Sequence, residues 1–166
     1  MTTHRRSSSP SSASSPSPLI LTYRKLVMPE DENPAHRLFG GRLMQWSDEA
    51  AALYAMCQMR TTSVVTLRVS EILFRNPAKT GDILEFWTRV KKIGTTSLTV
   101  ECKVMRKDIG AAIREPQIPK DEGLEKSKLL ILSCEFVFVH LGPNGKPAPH
   151  HMDKNGKVSQ TKTSKK

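Results

Sequence analysis

The chain has 166 residues and a formal net charge of +10, and its length suits one domain with a full core rather than two. The charge lies mainly in the two ends, because residues 1–29 carry four basic residues and no acid, and residues 144–166 carry six lysines and one acid. The middle of the chain is therefore nearly neutral, which argues against a nucleic-acid partner, and no apolar run reaches the length of a membrane span.

Both ends of the chain predict disorder. Residues 1–18 are rich in Ser and Pro and residues 151–166 form a Lys-rich tail, so the folded domain is assigned to residues 19–150. The first arm also combines Ser and Arg without acids, as organelle signals do, but its prolines disfavour the amphipathic helix of a mitochondrial signal. The cytoplasm is therefore the predicted location, and a mitochondrion or another organelle is the alternative.

The cysteines and histidines do not form a predicted metal site. Cys57, Cys102 and Cys134 lie in apolar contexts without the spacing of metal ligands, and the pair His150-His151 also lacks that spacing. We therefore expect three buried, reduced thiols in a reducing compartment.

The predicted elements follow a simple order. A strand over residues 19–28 is followed by a polar loop, and Gly40-Gly41 then opens a helix to about residue 60. Steps of three and four predict that one face of this helix carries Leu43, Trp46, Ala50, Leu53 and Cys57. Four strands are predicted over residues 63–74, 83–93, 97–105 and 129–141, and a long charged loop over residues 107–128. One thin, Ala-rich helix beside one antiparallel sheet predicts an α+β fold in which the sheet wraps around the helix. The sheet edge and the modest core predict a dimer.

The start of this helix offers a site for negative charge. Gly40 and Gly41 leave their amide N–H groups accessible at the positive end of the helix dipole, where they can hold an oxygen that carries negative charge. Asp48 lies two turns further along, too deep in the helix to act as an N-cap. From spacing alone, the glycines can equally serve a tight turn and close packing, and Asp48 can lie on a solvated face.

Six short segments, taken in order, carry a resemblance to a known family. They are residues 28–33, 39–50, 65–69, 81–82, 94–97 and 143–147. In this order they resemble the hotdog-fold acyl-CoA thioesterases, specifically the small single-domain hydrolases, over about residues 20–149. The implied fold is an antiparallel sheet wrapped around one long central helix. The chain departs from some relatives, which carry His before the glycine pair where it has Phe39, and its segment 107–128 is longer than usual.

The resemblance implies roles for four residues in thioester hydrolysis. Asp48 is expected to be catalytic, either as the general base for water or as a nucleophile that forms an anhydride. The amides of Gly41 and Gly40 are expected to form the oxyanion hole. Asn33 is expected to help position the attacking water, with Asn33 of one chain facing Asp48 of a second chain.

The resemblance also implies a substrate and an assembly. Acyl-CoA and water are expected to give a free fatty acid and coenzyme A, with no metal or organic cofactor, in a homodimer that assembles into a trimer of dimers. The acyl tunnel is expected near Tyr54, Phe74 and Trp87. Coenzyme A is expected to be held by two segments that comprise Leu67, Arg68, Val69, Thr96, Ser97 and Leu98.

Two alternatives remain open from the sequence. One is another hotdog activity, such as dehydration of a hydroxyacyl thioester, for which His36 is the candidate acid/base residue because such dehydratases use a His. The other is a non-enzymatic module that binds acyl-CoA or acts through its basic tails. The Gly-Gly and Asp48 set favours hydrolysis.

Overall fold

The computed structural model describes residues 17–107 and 129–152. The predictions made for residues 1–16, for the segment 108–128 and for residues 153–166 lie outside the described residues. Within them, the elements in chain order are β1 (Ile20–Leu26), a short 3-10 helix (Pro29–Asp31), α1 (Gly40–Met59), β2 (Val64–Val69), β3 (Leu73–Phe74), β4 (Ile83–Ile93), β5 (Ser97–Arg106) and β6 (Leu130–His140).

The strands form one antiparallel sheet with α1 packed on one face. The strand order is β1-β4-β5-β6-β2, and β3 also pairs with β6, further along the same edge as β2. The predicted strand over residues 63–74 is therefore two short strands. They are interrupted at Ser70, whose hydroxyl accepts the Glu135 N–H at 2.8 Å and so replaces one bond of the ladder.

The core lies between α1 and the sheet. The helix buries Leu43, Trp46, Ala50, Ala51 and Tyr54, and its alanines let the strands approach its backbone. The predicted stripe continued through Leu53 and Cys57, but both are exposed, because the 3.6-residue period carries the buried face to position 54 instead. The prediction of a buried thiol is thus wrong for Cys57 and confirmed for Cys102 and Cys134.

The second apolar cluster lies on the opposite face of the sheet. Trp87 packs there with Leu19, Met105 and Leu130, whereas its neighbour Phe86 belongs to the core under the helix. Adjacent residues of a strand point to opposite faces. Trp87 is therefore separated from α1 by the sheet, and its expected place near the acyl tunnel stays a prediction.

Candidate active site

Asp48 is held in place by the neighbouring strand. Its half-buried side chain lies on α1, and its Oδ1 accepts a hydrogen bond from the Thr66 hydroxyl of β2 at 2.9 Å. Its second oxygen, Oδ2, accepts no hydrogen bond from the residues that the structure describes. The carboxylate is therefore oriented on one side and open on the other, as an acceptor of a water proton must be.

The first turn of α1 is open. Phe39 occupies the N-cap position without a side-chain cap, so within the described ranges the amides of Gly40 and Gly41 have no acceptor. A Cβ atom at Gly40 would lie 3.4 Å from the Phe74 ring, and one at Gly41 would lie 3.2 Å from the Phe39 ring. A side chain at Gly41 would therefore crowd the Phe39 ring, whereas one at Gly40 would make ordinary van der Waals contact with the Phe74 ring.

Two pockets flank this turn. The pocket on the Gly40 side has a volume of about 280 Å³ and is lined mainly by apolar side chains. The pocket on the Gly41 side has a volume of about 330 Å³ and contains the carboxyl-bearing residues Glu30, Asp31 and Glu32. The helix start therefore lies between a mainly apolar pocket, which also has Arg37 and Arg75 in its lining, and a pocket that carries three carboxyl groups and Arg42.

The loop before α1 is fixed by its own carboxyl groups. The buried Asp31 accepts the Met28 N–H at 3.0 Å and pairs with the Arg42 guanidinium at 3.4 Å. Glu32 accepts the Thr80 N–H at 2.7 Å, and this bond is the main cause that lowers the pKa of the Glu32 carboxyl. These contacts tie the loop to the first turn of the helix and to the turn before β4.

Asn33 closes a turn within this loop. Its Oδ1 accepts the N–H groups of Ala35 at 2.9 Å and Arg37 at 3.3 Å, and its side-chain NH₂ group donates to none of the described residues. No hydrogen bond joins Asn33 to Asp48 within the chain. His36 is exposed at 3.6 Å from Glu32, on the surface of the loop.

The two segments expected to hold coenzyme A lie at the same end of the sheet. Val139 of β6 pairs with Ser97 of β5 on one side and with Val65 of β2 on the other. Only β6 therefore separates the β4–β5 turn from the start of β2. Leu67, Arg68 and Val69 are exposed on β2, and Thr96 and Ser97 are half-buried at the turn. Leu98 is fully buried in the core, so its side chain is closed to a ligand in this conformation.

The core thiols do not provide a nucleophile. Cys102 and Cys134 oppose each other across β5 and β6 and are buried. Their mutual hydrogen bond, followed by burial, raises the pKa of Cys102 well above its usual value. This thiol therefore stays protonated at neutral pH.

Metal and membrane signals are both missing from the described part of the chain. No group of three His, Cys, Asp or Glu side chains there is placed to hold a metal ion. Likewise, α1 is not apolar enough to cross a membrane.

Sequence reasoning missed three residues that build this site. Thr66 was part of a matched segment but had no assigned role, and Asp31 and Arg42 were not singled out. Thr66 is a polar residue between Val65 and Leu67, which is a weak signal in a strand. Its contact with Asp48 depends on how β2 lies against α1, and neither element's own sequence reveals that placement.

Comparison with known proteins now identifies the family. The thioesterase superfamily profile matches residues 36–113. Acyl-CoA thioester hydrolase YciA of Salmonella typhimurium is 32% identical over 129 residues, which cover 78% of this chain and 88% of the relative. The chain belongs to the thioesterase superfamily. The hotdog fold and the enzyme class implied by the resemblance are thereby confirmed.

Solved structures agree with this assignment. The acyl-CoA hydrolase from Staphylococcus aureus, solved with butyryl coenzyme A and coenzyme A, is 32% identical to this chain, with a TM-score of 0.63. The match covers 77% of this chain and 69% of the S. aureus chain. The hexameric thioesterase y2039 from Yersinia pestis is 27% identical to this chain, with a TM-score of 0.65. The match covers 80% of this chain and 95% of the Y. pestis chain. Variants of the S. aureus enzyme with an Asp, an Asn or a Thr replaced by Ala have also been solved.

Proposed function

We propose that this protein hydrolyses acyl-CoA to a free fatty acid and coenzyme A, with Asp48 as the acid/base residue or nucleophile. The observation that carries the proposal is the Asp48 carboxylate, which Thr66 orients through one oxygen while the other stays open. The acyl-CoA substrate is supported by the YciA relative's name and by the ligands of the S. aureus structure. No cofactor is assigned, because coenzyme A is part of the substrate. The cytoplasm remains the predicted location.

The chemistry requires a proton acceptor and an oxyanion hole. In the general-base route, Asp48 takes a proton from water while the water oxygen attacks the thioester carbon. The amides of Gly41 and Gly40 stabilise the resulting oxyanion. The C–S bond then breaks, and the coenzyme A sulfur leaves with the proton that Asp48 held. In the alternative route the Asp48 carboxylate attacks first, and water hydrolyses the anhydride.

The spacing of these groups supports a site shared between two chains. Asp48 lies seven residues after Gly41 in one helix, which corresponds to about 10 Å along the axis. A single carbonyl cannot touch both groups over that distance. Asp48 is therefore assigned to act on a thioester that is held by Gly41 of the partner subunit, with Asn33 of the partner subunit beside it.

The free edge of β2 suits such a dimer. Antiparallel pairing of two β2 strands about a two-fold axis continues the sheet and lays the two α1 helices side by side in opposite directions. The middle of one helix then faces the start of the other. The hexameric relative from Y. pestis supports further association into a trimer of dimers.

The open groups on β2 and at the β4–β5 turn suit coenzyme A. The Arg68 guanidinium is assigned to its phosphates, and the hydroxyls and amides of Thr96 and Ser97 to its polar chain. Leu67 and Val69 offer exposed apolar contacts on the same strand. Leu98 stays in the assigned segment, although the whole residue is buried in this conformation.

The test is thiol release from a series of acyl-CoA thioesters, measured for the wild type and two variants. Asp48→Asn keeps size and removes the proton acceptor, so turnover should fall by about 10²–10⁴-fold. Glu49→Gln is the matched control, because Glu49 is an exposed carboxylate on the same helix that pairs only with Gln45 among the described residues. It should keep wild-type turnover. Wild-type rates in a folded Asp48→Asn variant would contradict the proposal.

A further inference from the structure

The chain after β6 turns back onto the β4–β5 turn. It reverses at residues 143–145 and then runs back alongside the end of β6 over residues 147–152, here called the return segment. His150 and Met152 of the return segment are each 8% exposed, and Met152 belongs to the core between α1 and the sheet. The return segment is therefore packed into the fold, and it contacts the turn to which coenzyme A is assigned.

His150 makes two hydrogen bonds to the β4–β5 turn. Its backbone N–H donates to the Thr95 carbonyl and its ring Nε2–H to the Ser97 carbonyl, each at 3.2 Å. The Ser97 carbonyl also accepts the Gly94 N–H at 2.8 Å, so the ring is the second partner of this oxygen. The ring Nδ1 accepts the Met152 N–H at 3.3 Å. One neutral tautomer satisfies both ring contacts, because it has a proton on Nε2 and a lone pair on Nδ1.

The backbone carbonyl groups of residues 95–97 are all engaged within the chain. Besides the two that His150 holds, the Thr96 carbonyl accepts the His140 N–H at 2.9 Å. By contrast, the N–H groups of Thr95 and Thr96 and the hydroxyl groups of residues 95–97 donate to no residue that the structure describes. The turn therefore binds its acceptors internally and leaves its donors open. Such a surface suits a ligand that is rich in hydrogen-bond acceptors.

We propose that His150 is a positioning residue for coenzyme A, which holds the carbonyl groups of the β4–β5 turn inward so that the donors of the turn face the ligand. The inference rests on the proposed function, because that function assigns Thr96 and Ser97 to the polar chain of coenzyme A. The phosphates and amide carbonyl groups of coenzyme A are acceptors. A carbonyl group of the turn that rotated outward would place oxygen against oxygen and weaken binding.

Calorimetric titration with coenzyme A tests the inference without any hydrolysis. His150→Phe keeps a buried ring and removes both ring nitrogens, so the Kd for coenzyme A should rise about 3- to 10-fold, which is the net value of one hydrogen bond. His150→Gln should restore most of the affinity, because its longer amide carries an N–H that reaches the Ser97 carbonyl. His151→Phe is the matched control, since His151 is the exposed neighbour, and it should keep the wild-type Kd.

A second variant separates the two ring contacts. His150→Asn has a shorter amide, which can accept the Met152 N–H in place of Nδ1 but does not reach the Ser97 carbonyl. It should therefore bind coenzyme A as weakly as His150→Phe does. Equal affinities of the Asn and Gln variants would show that the bond to Ser97 contributes nothing, and would overturn the inference.

Steady-state kinetics with butyryl-CoA distinguish positioning from general damage to the fold. In His150→Phe, KM should rise by about the same factor as Kd, and kcat should stay within about twofold of wild type, because the lost interaction holds substrate and transition state alike. A folded His150→Phe variant with wild-type Kd and KM, or one whose loss lies in kcat, would overturn the inference. Weaker binding of coenzyme A by His150→Phe in a protein that fails to hydrolyse acyl-CoA would overturn the proposed hydrolysis alone.

Discussion

The two edges of the sheet differ in what they expose. On β1, Arg24 pairs with Glu85 of β4 at 2.9 Å, and the Thr22 hydroxyl bonds to Thr88. On the opposite edge, β2 and β3 expose Val65, Leu67, Val69 and Phe74 with few charges. The first edge combines polar contacts within the chain with two exposed apolar side chains, Ile20 and Leu26, whereas the second presents mainly apolar side chains.

The functional groups follow the second edge. Thr66 of β2 orients Asp48, and Phe74 of β3 lies against Gly40. An apolar, unpaired edge is a liability for a soluble chain unless another element covers it. The proposed catalytic groups lie along the same edge, which supports the proposal that the covering partner also completes the site.

The largest effect is expected from a charge on this edge. Val65→Glu should place two glutamates against each other across a two-fold axis, which costs several kcal/mol and weakens association by about 100-fold or more. Turnover should fall with the loss of the shared site. The matched control is Leu26→Glu on β1, since Leu26 is 47% and Val65 is 43% exposed.

Light scattering and thiol release measure both variants. Leu26→Glu should keep the wild-type mass and turnover. A Val65→Glu protein with the wild-type oligomer mass and the wild-type turnover would contradict the proposed difference between the two edges.

A smaller effect is expected from the hydroxyl that orients Asp48. Thr66→Val removes a hydrogen bond to a carboxylate, worth about 1.5–3 kcal/mol, so kcat should fall by roughly 10- to 100-fold while KM changes less. Thr66→Ser should restore most of kcat. Thr22→Val removes the corresponding hydroxyl on β1 and should leave kcat unchanged. Equal kcat values for the Thr66→Val variant and the wild type would show that Asp48 needs no orientation by β2.

The sequence revealed the fold because local signals agreed. The glycine pair, the helical period and the alternating strands each specify one element, and together they define a sheet around a helix. Two details required the structure. The helical period alone did not show that the buried face of α1 includes Tyr54 and leaves Leu53 exposed. The interruption between β2 and β3 depends on the hydrogen bond that the Ser70 hydroxyl accepts from Glu135.

The candidate site was less visible in the sequence. Asp48, Gly40 and Gly41 stood out as an interior Asp and a glycine pair at a helix start, and their expected roles came from the family resemblance. The roles of Thr66 and Asp31 arise from contacts between elements far apart in the chain or across a loop. Such contacts depend on register and packing, which residue patterns do not encode locally.

The central claim is that each active site takes Asn33 from one chain and Asp48 from another, and subunit mixing tests it directly. Asn33→Asp keeps the oxygen that closes the turn with Ala35 and Arg37 and replaces the amide donors with a charged carboxylate oxygen. This variant and Asp48→Asn should each be nearly inactive. After subunit exchange, verified by mass, the mixture should recover about a quarter of wild-type turnover per site, because half of the dimers are mixed and each regains one site. No recovery after verified exchange would contradict a shared site.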